Sequence, residues 1–194
     1  MKPLKIMKFE TFSPQVSIDD DYLVKVMAKW PNVPEVYGWL KMNKKGEWLI
    51  KEQSISHLRI KNFLNRNYFS DSNGNWFVQN GPQRVYVELE YTPHVYRIRD
   101  YSFIYTTNGK KVGQVKSFLL DEQGNILIYS ELGLGLVYDK DLSQVVESLN
   151  DATLNKLFIN WGSFDYFLIN CHSKEVSKIF QFNPHPDNKS NGDN

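Results

Sequence analysis

The sequence predicts an α+β protein built mainly from antiparallel hairpins with a few helices, arranged as two structurally related halves. Three observations carry that expectation. Aromatic residues make up 14% of the chain, and Phe, Tyr and Trp favour half-buried pleated surfaces. Turns centred on glycine recur between short apolar runs, which is the punctuation of hairpins. The order hairpin, helix, hairpin occurs twice.

The elements follow in order. Ser17 ahead of Asp19, Asp20 and Asp21 is a helix start, since the hydroxyl can cap a free N–H and the carboxylates meet the positive end of the dipole. Tyr22, Leu23, Val26 and Met27 then form one apolar stripe, and Pro31 and Pro34 end the helix, so residues 1–35 are expected as a helix and linker. A first β-rich unit is expected over 36–99. In it, strands flank Asn43-Lys44-Lys45-Gly46, a helix lies between Ser56 and Tyr68, and Trp76 to Gln79 forms a strand after Asp71-Ser72-Asn73-Gly74. Its clearest strand places Val85, Val87, Leu89 and Tyr91 on one face and Arg84, Tyr86, Glu88 and Glu90 on the other.

A second unit is expected over 100–182. Asn108-Gly109 should join Tyr101 to Thr107 and Lys110 to Leu120 as a hairpin. Asp121 to Gly124 turns into Ile126 to Tyr129, a helix follows over Asp141 to Leu149, and two aromatic strands close the unit, Lys156 to Asn160 and Phe164 to Asn170. Residues 183–194 are polar and are expected to be a disordered tail. The two units match in ordered blocks. Gly46 to Ile50 aligns with Gly124 to Ile128, Trp76 to Gly81 with Leu157 to Gly162, and Val85-Tyr86-Val87 with Tyr166-Phe167-Leu168. Trp48 and Trp76 each follow a glycine turn and are expected in the core. Packing the apolar faces of two small units together would offset their poor surface-to-volume ratio.

Tyr37-Gly38-Trp39-Leu40, Gly46-Glu47-Trp48, Asn65-Arg66-Asn67-Tyr68, Gly74-Asn75-Trp76 and above all Gln79-Asn80-Gly81-Pro82-Gln83-Arg84-Val85-Tyr86-Val87 resemble an uncharacterised bacterial family of unknown function. The resemblance spans roughly residues 36 to 150. More distantly, the chain is similar to a second uncharacterised bacterial family with repeated α/β motifs, for which a role in signal transduction has been suggested. Neither resemblance implies a catalytic residue.

Composition narrows the function. The chain has 23 basic and 22 acidic side chains, a net charge of +1, so no long-range field draws it to nucleic acid and no nucleic-acid partner is expected. It contains no run of 18 apolar residues and no signal-peptide core, so neither membrane insertion nor export is expected. A single cysteine, Cys171, fits a reducing cytoplasm.

The candidate binding residues are Gln79, Gln83 and Arg84. Two carboxamides and a guanidinium beside a tight turn can grip a carboxylate, a phosphate or a base edge. The same groups can instead hold the turn, with Arg84 paired to Glu88. His57, His94, His172 and His185 lack the i, i+4 spacing of helical metal sites, so no metal and no cofactor are expected. Cys171 and His172 are adjacent and would face opposite ways on a strand. Leu132-Gly133-Leu134-Gly135-Leu136 lacks the third glycine of a dinucleotide loop and is expected to mark a bend where two backbones approach. The expected function is a non-enzymatic regulatory or sensory module that binds a small polar ligand or a protein partner. The alternative is an enzyme whose site gathers residues distant in sequence.

Overall fold

The computed structural model describes residues 33–152 and 156–187. The chain is an α+β protein with two mixed sheets. The first sheet uses β1 (Glu35–Met42), β2 (Trp48–Ile50), β3 (Gln53–Ser54), β4 (Tyr68–Ser70), β5 (Trp76–Asn80) and β6 (Gln83–Leu89), in the order β3-β2-β1-β6-β5-β4. Helix α1 (Leu58–Arg66) joins β3 to β4 and buries Ile60 and Leu64. The second sheet contains β7 (His94–Arg99), β8 (Phe103–Thr106), β9 (Val115–Asp121), β10 (Ile126–Ser130), β11 (Gly133–Val137), β12 (Leu149–Ala152), β13 (Lys156–Trp161) and β14 (Phe164–Cys171). Its order is β12-β13-β14-β9-β10-β11-β7-β8. A 3₁₀ turn and helix α2 (Leu142–Val146) join β11 to β12, and helix α3 (Val176–Ile179) follows β14.

Strands β9 to β14 repeat the order of β1 to β6, with the helix at the same place in the chain. In each set the first strand pairs parallel with the sixth, and all other neighbours are antiparallel. The registers correspond as well. Phe77 faces Tyr86 and Phe158 faces Phe167, while Leu40 faces Val87 and Phe118 faces Leu168.

The two sheets do not meet through like faces. One core gathers Leu40, Trp48, Val85, Val87 and α1 from the first sheet together with Leu119, Leu127 and Leu134 of the second. A separate core lies on the other face of the second sheet, around Phe118, Ile126, Ile128, Ile159, Trp161 and Val145 of α2. Successive strand residues point to opposite faces, so Leu119 and Leu127 turn away from Phe118 and Ile128. The corresponding positions of the first sheet are Lys41 and Leu49, which stay half-buried.

Several elements depart from the sequence-based expectation. Strand β7 lies before residue 100, yet it is bonded to β8 and β11 in the second sheet. Asn108-Gly109 does reverse the chain, but only Tyr105 and Lys111 bridge beyond it, and Val112 N–H reaches the Ile104 carbonyl. β9 cannot continue that pairing because β10 and β14 occupy both of its edges. The second helix stops at Val146, and Leu149 already belongs to β12. Residues 183–187, expected in the tail, are tied down: Asn183 N–H donates to the Gly74 carbonyl, and Leu89 N–H donates to the Pro184 carbonyl. The helix expected over 17–30 lies outside the described residues.

Trp48 is 2% exposed, meets Tyr68 edge-on and donates its indole N–H to Asn65 Oδ1 at 2.7 Å. Trp76 is only half-buried, against Tyr68 and His94. Denaturant melts of Trp48→Ala should therefore show a loss of about 3–5 kcal/mol, the usual cost of removing a buried aromatic. Trp76→Ala should lose clearly less.

Candidate functional site

The polar run between β5 and β6 is assembled as the sequence indicates, but most of it is used internally. Gly81, at φ +57°, makes the turn. Gln79 Nε2 donates to the Gly81 carbonyl at 2.6 Å and to the Gln83 carbonyl at 3.2 Å, closing the hairpin. Gln83 Nε2 donates to the Val33 carbonyl at 2.7 Å and so fixes the chain as it enters β1. Arg84 is exposed; its guanidinium lies 4.8 Å from the centre of the Phe77 ring, and no ion pair with Glu88 forms among the described residues. Of the three candidates, Arg84 alone offers its charged group outward.

His94 sits where the sheets meet, 5% exposed and ringed by Tyr68, Trp76 and Tyr96. Its Nε2 lies 2.8 Å from the Leu132 carbonyl. A carbonyl only accepts, so Nε2 carries the proton. Burial lowers the His94 pKa to about 4, against the opposing pull of the Leu132 bond. The glycine run around it is strand β11 and not a bend. A Cβ on Gly135 would lie 2.5 Å from the Tyr96 ring, so this glycine makes room for a side chain of the neighbouring strand. Tyr96 in turn donates to the Gly133 carbonyl at 2.9 Å. This is a packed junction, and its imidazole is held neutral. Among the described residues, no three His, Cys, Asp or Glu side chains converge as metal ligands.

The outer face of β7 and β8 is different in character. Arg97 and Tyr105 are partners in the ladder, as are Arg99 and Phe103, and Lys111 bridges to Tyr105. Three cations thus stand among rings. The Arg97 guanidinium is 4.0 Å from the Tyr138 ring centre, that of Arg99 is 5.0 Å from Tyr105, and Lys111 Nζ is 4.3 Å from Phe103. Arg97 also donates through Nε to Asp141 Oδ2 at 2.8 Å. Arg99 and Lys111 are exposed and meet no carboxylate among the described residues. Cation–π contact orients such groups without neutralising them. This face was not legible in the sequence because its charges are spread over β7, β8 and the segment after the Asn108-Gly109 turn. An open hollow of about 470 Å³ lies elsewhere, between Ser72-Asn73 and Lys178-Gln181.

A family model described as protein of unknown function (DUF2946) matches residues 19–187. Among solved structures, a DUF1285 family protein from Silicibacter pomeroyi DSS-3 is similar, with a TM-score of 0.54 and 9% identity over 80% of this chain and 97% of that one. A DUF1285 family protein from Shewanella baltica OS155 gives a TM-score of 0.44 and 16% identity over 57% and 92%. No curated protein matches. The first likeness is one of fold.

His94 makes the stability of the fold depend on pH. Its folded pKa lies below the ordinary value of 6.5, so the unfolded chain binds the proton more readily. Stability should be fully present above about pH 6.5 and fall as pH drops towards 4, by on the order of 3 kcal/mol. Chemical melts across that range should show the slope, and His94→Gln should flatten it.

Proposed function

Because the chain belongs to the family of proteins of unknown function (DUF2946), whose description assigns no activity, we propose from geometry that it is a non-enzymatic regulatory or sensory module. It binds an acidic segment of a protein partner on the outer face of β7 and β8. The observation that carries this reading is the pair of exposed cations, Arg99 and Lys111, each set against a ring and neither met by a carboxylate among the described residues. Guanidinium and ammonium groups so placed keep their N–H donors for an incoming carboxylate. The outer face of a sheet suits an extended chain better than a small molecule, which favours a concave pocket. Base stacking is less well served, since Tyr105 and Phe103 each have a cation over the ring.

The shared strand order and register of β1 to β6 and β9 to β14 support descent from one duplicated unit. On this view the hairpin β7–β8, which has no counterpart within either set, is the addition that specialises the pair. The protein works in the bacterial cytoplasm, where the lone thiol of Cys171 stays reduced.

An isotope-labelled sample titrated with a short Glu-rich peptide tests the reading. Backbone shifts should concentrate at Arg97, Arg99, Tyr105 and Lys111 and should weaken with added salt. Arg99→Ala and Lys111→Ala should each lower affinity by about tenfold while changing stability by less than about 0.5 kcal/mol. Shifts confined to Arg84 and its turn would move the site to the β5–β6 hairpin, and no shifts at all would sink the proposal.

A further inference from the structure

Most hairpins of this chain reverse through a glycine at positive φ, but among the described residues two do not. In the β2–β3 turn Lys51 and Glu52 hold φ at +46° and +65°, and in the β7–β8 turn Asp100 and Tyr101 hold +52° and +54°. Residues with a Cβ are crowded in this left-handed region, so both turns carry backbone strain. The first turn is compensated by its own side chains. Lys51 Nζ lies 3.6 Å from the centre of the Trp39 ring, and Lys41 Nζ donates to Glu52 Oε1 at 3.1 Å. The second turn has no such compensation. Among the described residues, neither the Asp100 carboxylate nor the Tyr101 ring or hydroxyl has a hydrogen bond, an ion pair or a ring contact, and Tyr101 is 56% exposed. The backbone beneath them is nonetheless fixed. Ser102 N–H donates to the Arg99 carbonyl at 3.2 Å, and Tyr101 N–H donates to Gln144 Oε1 at 3.1 Å. Gln144 Nε2 donates in turn to the Ile98 carbonyl at 3.3 Å, so α2 clamps the turn from outside the hairpin. An aromatic ring is thus held in water on a strained, braced tip, and nothing in the fold accounts for it.

Arg99 and Phe103 form the last pair of the ladder before this turn, so Tyr101 follows directly on the outer face of β7 and β8. Phe103 is itself 41% exposed, with Lys111 Nζ over its ring. Taking that face to be the docking site for an acidic segment, we infer that Tyr101 is its apolar anchor and that the bound segment carries an aromatic residue beside its carboxylates. Charge sorts the two parts of the partner. Arg99 and Lys111 draw carboxylates to the ladder, whereas the exposed Asp100 carboxylate repels them at the tip and leaves the Tyr101 ring to an uncharged side chain. Tyrosine suits that task because it offers a large contact area with few rotatable bonds to freeze, and such residues dominate binding hot spots. The brace from Gln144 has the same effect on the backbone, since a turn already ordered loses little freedom when the partner arrives.

The test titrates the full chain, by fluorescence anisotropy, with dye-labelled peptides of equal charge: one of Glu and Ser only, and the same peptide with a Trp at its amino or its carboxyl flank. One of the Trp peptides should bind about tenfold tighter than the Glu-Ser peptide. That ratio should fall to about one in Tyr101→Gly and in Tyr101→Asn and should persist in Tyr101→Phe, as expected for an anchor that acts through its ring. Glycine relieves the strained φ, so the urea midpoint of Tyr101→Gly should equal or exceed that of the parent chain. A lower midpoint would show that Tyr101 serves the fold and would overturn the inference. Equal binding of all the peptides, or a Trp advantage that survives loss of the Tyr101 ring, would overturn it too while leaving the acidic-segment reading in place. Failure of every peptide to bind would discard that reading itself, and the anchor with it.

Discussion

The fold rests on one local device used repeatedly. Asn43, Asp71 and Asp121 each end a strand or loop and accept, through one side-chain oxygen, the N–H groups two and four residues further on. In each case a glycine three residues on, at positive φ, donates back to the carbonyl of the first residue. The turn is a closed network that satisfies three successive N–H donors at the reversal and sets the register of the following strand. Two copies also tie distant parts together. Asp121 receives the Tyr91 hydroxyl at 2.7 Å, linking the end of the first unit to the second. Asn75, held by Asp71, accepts from Asn183 at 2.9 Å and anchors the segment after α3. There the glycine is obligatory for a second reason: a Cβ on Gly74 would lie 2.3 Å from the Gln181 carbonyl oxygen.

With the strands so aligned, the sheets stack in series, the inward face of the first against the outward face of the second. This leaves the second unit's own inward face to be closed by α2, by β7 and β8 and by the segment that follows them. Val145, Ile98, Ile104 and Val112 do that. The added hairpin therefore completes a core with one face and frees the other. Arg97, Arg99 and Lys111 are held out on that free face because alternate residues, Tyr96, Ile98 and Ile104, are buried beneath them. The proposed partner site is a by-product of how the second core is closed.

Much of the first unit was legible because its signals are local. Gly46, Gly74 and Gly81 mark turns by the φ they must adopt, and Ile60 and Leu64 mark α1 by spacing. Of the candidate residues, Gln79 and Gln83 could be placed at a turn, but their partners are main-chain carbonyls that no sequence displays. His94 was indistinguishable from three other histidines until Tyr68, Trp76 and β11 were brought around it. The glycine run was legible as a close approach, yet what approaches is the Tyr96 ring and not a second backbone.

The sequence by itself determined the fold class, the positions of the turns, the alternation within strands and the ordered match between the two units, since each depends on contacts between residues a few positions apart. Only the tertiary structure decided which faces meet. Leu119 and Leu127 stand where the first unit has Lys41 and Leu49, but nothing local says that they join Trp48 and Val87 in one core. It decided also that β7 joins the second sheet, that residues 183–187 return to the first, and that Arg99 and Lys111 share a surface. Those outcomes depend on strands paired across long stretches of chain, where hydrogen-bonding edges are interchangeable and the choice falls to whichever arrangement buries the apolar faces.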